Sequence, residues 1–302
     1  MSAHTKLTPE LVNFVSLHGD LGYSALLTTM PDYKLASGVN PTIGVDYRLF
    51  YNNFLFSVGA EAMYQLNAYN IGAFNDTVPM RDTEGTPFRM IAQVGKPRDL
   101  THMVNVNIPI LFGGEWGRFY FMVGPKVSLN LYGAASSSAV YETYADYDNA
   151  YDDFHDMPNH QLERGQRMSS STLPLRWKLN VMAHAEIGAR INHMFKHKQF
   201  RINPDKIRMY LAAYVDYGVL NIYSASFNEP WYEYSDNGKG LEFAIRPLMC
   251  STLANGAKFN NLNVGIKYTI AFEMPTHGKS YIYDSNKVDR NYRTRGGNQT
   301  LK

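Results

Sequence analysis

The chain has 302 residues, of which 45% are hydrophobic and 14% aromatic, and its formal net charge is +2. That balance excludes the strongly basic surface of a nucleic-acid binder, and a single cysteine, Cys250, excludes an intrachain disulfide. No stretch approaches the run of about 18 apolar residues that a membrane-crossing helix needs, and MSAHTKLTPE lacks the apolar core of a secretory signal.

What the sequence carries instead is alternation with a period of two, the mark of a β-strand with unlike faces. In the first predicted strand Val15, Leu17, Leu21, Tyr23 and Ala25 alternate with Ser16, His18, Asp20, Gly22 and Ser24. The second sets Ile43, Val45, Tyr47, Leu49 and Tyr51 against Thr42, Gly44, Asp46 and Arg48. The third runs from Phe54 to Leu66, with Val58, Ala60 and Ala62 opposing Gly59 and Glu61. In the fourth, Val104 to Phe112 alternate with Asn105 and Asn107, and in the fifth Phe119 to Leu131 alternate with Gly124, Lys126 and Ser128.

The sixth, RWKLNVMAHAEIGARI (176 to 191), is the most regular. Trp177, Leu179, Val181 and Ile187 fall on one face and Lys178, Asn180, His184, Glu186, Gly188 and Arg190 on the other. At about 3.3 Å per residue it spans roughly 53 Å, about three times an ordinary strand. The seventh sets Leu211, Ala213, Val215 and Tyr217 against Tyr214, Asp216 and Gly218. The eighth sets Leu262, Val264, Ile266, Ile270 and Phe272 against Gly265, Lys267 and Thr269.

Connections are short at Tyr51-Asn52-Asn53, at GGEWG (113 to 117) and near 192 to 208, and long near 29–41, 67–101, 132–175 and 223–260. Alternating lengths place the long ones at one end. The expected fold is therefore an all-β, eight-stranded antiparallel up-and-down transmembrane barrel, with short periplasmic turns and long extracellular loops. Residues 12–273 would form the barrel, 1–11 an N-terminal segment and 274–302 a basic periplasmic tail.

Glycine decides which face is inside. Gly22, Gly44, Gly59, Gly124, Gly188, Gly218 and Gly265 all lie on the polar face. On a solvated exterior they would weaken the strands with no gain; inside a narrow barrel they make room for charged neighbours. The apolar face then meets lipid. Tyr51, Phe54, Phe112, Phe119 and Phe272 at the short-turn end, and Tyr23, Tyr64 and Trp177 towards the loops, form two expected aromatic belts at the lipid–water interfaces. Such barrels occupy outer membranes, so an export signal is expected to have preceded this sequence. Pro109 and Pro125, inside strands, are expected to mark bulges.

The stretch NVNIPILFGGEWGRFYFMVGPKVSLNL (105 to 131) resembles the central hairpin of the PorT-like outer-membrane β-barrels of Bacteroidota, through Ile108-Pro109, Phe119-Tyr120 and Gly124-Pro125. The resemblance implies the fold and the outer membrane. Function varies across that family, some members serving secretion or gliding machinery, so it implies no particular activity.

The predicted interior holds Asp20, Asp46, Glu61, Glu186 and Asp216 with Arg48, Lys126, Lys178, Arg190 and Lys267. Five acids against five bases predict a charge-paired plug, since an eight-stranded barrel is only wide enough for its own side chains; the alternative is a narrow ion or solute channel. His18 with Asp20, and His184 with Glu186, could serve acid–base work, but no nucleophile or metal ligand of diagnostic spacing accompanies them. The expectation is a structural or accessory protein (scaffold, adhesin or secretion component), no enzyme, with no cofactor.

Residues 133 to 175 carry seven acids against two bases, concentrated in YETYADYDNAYDDFHDMPNH, a predicted acidic surface loop where Ca²⁺ is conceivable but the spacing misses an EF-hand. At the other end, 192–208 has five bases to one acid and 274–302 six to two, +4 each. Those basic segments, with Arg290, Arg293 and Arg295 foremost, predict a periplasmic or membrane protein partner or the cell wall.

Overall fold

The computed structural model describes residues 11–30, 33–147, 151–154, 160–163, 165–175, 179–192, 206–223, 226–236 and 241–274. Among them are fifteen strands and no helix long and apolar enough to cross a membrane. Thirteen strands share one antiparallel sheet.

Eight of those strands pair in a closed circuit: β1 (Leu11–Thr28), β3 (Thr42–Tyr51), β4 (Phe54–Asn70), β7 (Arg98–Trp116), β8 (Phe119–Tyr147), β11 (Asn180–Arg190), β12 (Ile207–Gly218) and β15 (Phe259–Glu273). Each joins its successor, β15 pairs β1, and no edge remains in the ring. The burial of their side chains alternates as the sequence does. In β3 the pattern is inverted relative to a water-soluble sheet: Ile43 is 70% exposed while Asp46 is 4% and Arg48 fully buried. Apolar side chains form the outer surface and polar ones the core.

The long connections are not loops, which corrects the sequence-based expectation. β2 (Lys34–Val39), β5 (Phe74–Arg81), β6 (Pro87–Val94), β9 (Tyr151–Phe154) and β10 (Arg167–Pro174) lie within them, and β13 (Tyr232–Asp236) pairs β14 (Leu241–Ile245) as a separate hairpin. β8 runs on to Tyr147, 29 residues in all, exchanging β11 for β10 on one side and β7 for β6 on the other. A blade ordered β5–β6–β8–β10 therefore rises from the ring. β10 and the end of β8 read as loop because Ser and Thr, in RMSSSTLP and ASSSAV, stand where the ring strands carry an apolar row. The presumed acidic loop is partly strand too: Asp146 sits in β8 and pairs Arg89 at 2.6 Å, and Asp148 and Asp156 lie outside the described residues.

Two smaller expectations also change. Neither proline marks a bulge: the β4–β7 ladder lapses beside Pro109 and the β7–β8 ladder beside Pro125, both without a register change. The missing amide donor costs a rung and nothing more. A register shift lies instead between Val104 and Asn105, opposite Leu131, where the ring gives way to the blade. The turn GGEWG also shrinks, since β7 runs to Trp116 and Gly117, at φ 63°, makes the corner before Arg118.

Candidate functional site

The interior is built in layers. At the short-turn end Phe14, Phe50, Leu55, Leu111, Tyr120 and Met122 form an apolar floor, with Tyr210 edge-on to Tyr120. Arg208, expected in the basic turn, belongs to this floor: its guanidinium lies 4.5 Å from the Phe14 ring and 4.8 Å from Phe50. Arg190 also sits here, reaching Glu115 at 3.3 Å, and so stands apart from the charges it was expected to join.

Above the floor runs a belt of buried charge. Glu61 on β4 receives Lys126 from β8 at 2.9 Å; Lys126 reaches Asp216 on β12 at 3.2 Å. Asp216 meets His184 Nδ1 on β11, His184 Nε2 lies 3.3 Å from Glu186, and Lys267 on β15 lies 3.2 Å from Glu186 and 3.9 Å from Glu61. Those contacts close a six-membered ring of groups across the interior. Arg48 and Asp46 pair separately at 3.2 Å, and Asp20 Oδ1 lies 3.1 Å from His18 Nδ1. None of these ten residues is more than 7% exposed. A lone charge in such a place costs several kcal/mol, so each survives only through its partners.

Backbone register explains how groups so far apart in sequence converge. His18 pairs Gly44, and Gly44 pairs Glu61. With no side chain between them, His18 Nε2 comes within 3.7 Å of Glu61; a Cβ on Gly44 would stand 2.4 Å from that nitrogen. Gly188 likewise makes way for Tyr120, and Gly265 for Tyr214. The inward glycines hold open the space that the belt fills.

Next comes a layer of amides: Gln65 donates to Asn261 at 2.8 Å and Asn130 to Asn105 at 2.8 Å. A cavity of about 10 Å³ among Asn105, Asn180 and Asn261 has room for one water. The far mouth is stoppered by an apolar cap of Met30, Tyr33, Tyr69, Met103, Leu248, Met249 and Phe259, with Tyr33 and Tyr69 stacked 4.1 Å apart. Two single turns of 3-10 helix, Leu248–Cys250 and Thr252–Ala254, carry the cap's centre. Asp99 pins it by accepting the Leu248 amide at 2.7 Å, and burial pushes the Asp99 carboxyl up to about 6 and the Cys250 thiol up to about 11.

Of the interior residues read from sequence, Asp20, Asp46, Arg48, Glu61, Lys126, Glu186, Asp216 and Lys267 come together. Lys178 and Trp177 lie outside the described residues, as do Arg290, Arg293 and Arg295. Tyr51, Phe54, Phe112, Phe119 and Phe272 are exposed on the outer surface near the short turns, and Tyr23 and Tyr64 nearer the blade. Trp116, 53% exposed and stacked on Phe121 at 5.5 Å, joins the first group; it was hidden by its place in an apparent turn.

The molecule is thus an all-β antiparallel protein whose ring-like sheet has an apolar exterior and a filled, charged interior. No protein-family model matches the chain, and no curated protein is similar to it in sequence. Among solved structures it is similar to the outer membrane protease OmpT of Escherichia coli, at 8% identity and a TM-score of 0.30, covering 89% of this chain and 99% of that one. It is also similar to Ail, the attachment invasion locus protein of Yersinia pestis, at 10% identity and a TM-score of 0.20, covering 86% and 99%. At those scores the likeness adds nothing to what strand pairing and burial establish.

Proposed function

We propose that the chain is a small eight-stranded barrel of the outer membrane, of PorT-like kind, that conducts nothing and serves as a structural or accessory subunit. The observation that carries this reading is the stacking of four filled layers (floor, ionic belt, amide layer, cap) between the two mouths. A continuous apolar exterior needs lipid around it, and the exposed aromatics near each end of the strands suit the two interfaces. The blade then stands outside the cell and the short turns face the periplasm, where the basic turn and tail are proposed to bind a partner protein or the cell wall. Planar-bilayer recording tests the plug: no stable unitary conductance is expected, and reproducible openings would make it a narrow channel.

A further inference from the structure

In the belt five carboxylates (Asp20, Asp46, Glu61, Glu186, Asp216) face three cations (Arg48, Lys126, Lys267) and two histidines among the described residues, a surplus of two carboxylates over Lys and Arg. Arg48 pairs Asp46, Lys126 stands between Glu61 at 2.9 Å and Asp216 at 3.2 Å, Lys267 lies 3.2 Å from Glu186, and His184 lies between Asp216 and Glu186. Asp20 faces only His18, which has Glu61 on its other side.

The geometry there is that of a ligand set. A ring nitrogen of His18, an Asp20 oxygen and a Glu61 oxygen all lie within 4.8 Å of one another, each residue buried. His18 Nδ1 is 3.1 Å from Asp20 and Nε2 is 3.7 Å from Glu61, so each carboxylate faces one nitrogen of the ring. His18 Nε2 is buried, has no hydrogen-bond donor or acceptor, and is aimed at Glu61 Oε1. Lys126 holds the other oxygen, Oε2, at 2.9 Å and so fixes the orientation of the carboxylate, while Lys267 stands 3.9 Å from Oε1. Gly44 keeps the space clear.

We propose that His18, Asp20 and Glu61 bind one divalent transition-metal ion inside the barrel, a structural centre tying β1 to β4 across β3. One nitrogen and two carboxylates suit Zn²⁺ or a similar ion. Its two charges equal the surplus of carboxylates over Lys and Arg in the belt. Because both mouths are stoppered, the ion enters during folding.

The test refolds the full chain into detergent with Zn²⁺, removes free metal, and measures bound zinc by mass spectrometry, with folding verified by gel mobility before and after heating. About one zinc per folded chain is expected, falling at least tenfold in His18→Gln and Glu61→Gln and unchanged in His184→Gln. Refolding with Co²⁺ should give the visible absorption of a low-symmetry nitrogen–oxygen site. Should His18→Gln fail to fold, the wild-type stoichiometry and the cobalt spectrum still decide. Folded wild-type protein with less than a tenth of an equivalent of zinc and no cobalt bands would overturn the proposal, the surplus charge then being met by protonated histidines. Such a result would leave the non-conducting reading untouched, since a filled interior does not depend on what neutralises it.

Discussion

Arg48 shows what a single side chain does in this interior. It is fully buried, lies 5.5 Å from the Tyr210 ring and is bound to Asp46, so it joins the floor to the ionic belt. Arg48→Met should destabilise the fold by about 3–5 kcal/mol, because Asp46 is left charged and unpaired. Adding Asp46→Leu should recover most of that loss, which urea titration of refolding in lipid vesicles can measure. Asp99 behaves oppositely. Its folded value, raised to about 6, lies above the ordinary carboxylate value near 3.8, so the folded chain binds the proton first. The cap should therefore gain stability as pH falls from about 7 to 4, by at most about 3 kcal/mol for a shift of some two units. Hydrogen exchange of Leu248–Ala254 should slow over that range, after correction for intrinsic rates. Asp99→Asn should abolish the dependence while keeping an acceptor for the Leu248 amide.

At the scale of strands, the two faces make opposite demands on neighbours one residue apart. Ile266 is 60% exposed and Lys267 is 2% exposed. Ile266→Arg should cost about 2–4 kcal/mol in a bilayer, whereas Ile266→Leu should be neutral; equal folding yields for both in vesicles would mean that the face does not meet lipid. The face assignment was legible in the sequence, because period-two alternation and inward glycine are local signals. So were eight of the charges that meet inside, since each stands on a polar face. Other features were not legible. Which charges pair depends on register between strands, and the closeness of His18 to Glu61 is visible only once Gly44 is known to lie between them. The blade was missed because its packed face, where Val94, Ala139 and Tyr141 meet Phe243 and Ile245, depends on a hairpin distant in sequence, and Ser169, Ser170 and Ser171 look like loop.

On the scale of the whole molecule, the two ends are expected to do different work. Deleting residues 280 to 302 should leave the barrel folded, as judged by heat-dependent gel mobility, and release any partner held by Arg290, Arg293 and Arg295. Binding should also weaken with added salt, since contacts between exposed charges are screened beyond about 8 Å at physiological ionic strength. Capture from native membranes that is indifferent to both the deletion and salt would dismiss the docking role.

The continuity of β8 has a mechanical meaning. Its last nine residues, Ala139 to Tyr147, run on roughly 30 Å past the last rung to β7 as one continuous strand. A pull on the blade tip along this strand would load the rungs joining it to β7, β10 and β11 side by side, in shear. Rungs loaded in that way must fail together, whereas rungs peeled from one end fail singly. The strand is therefore suited to carry tension from its outer end, and a force applied there would arrive at the ring undiminished by any hinge.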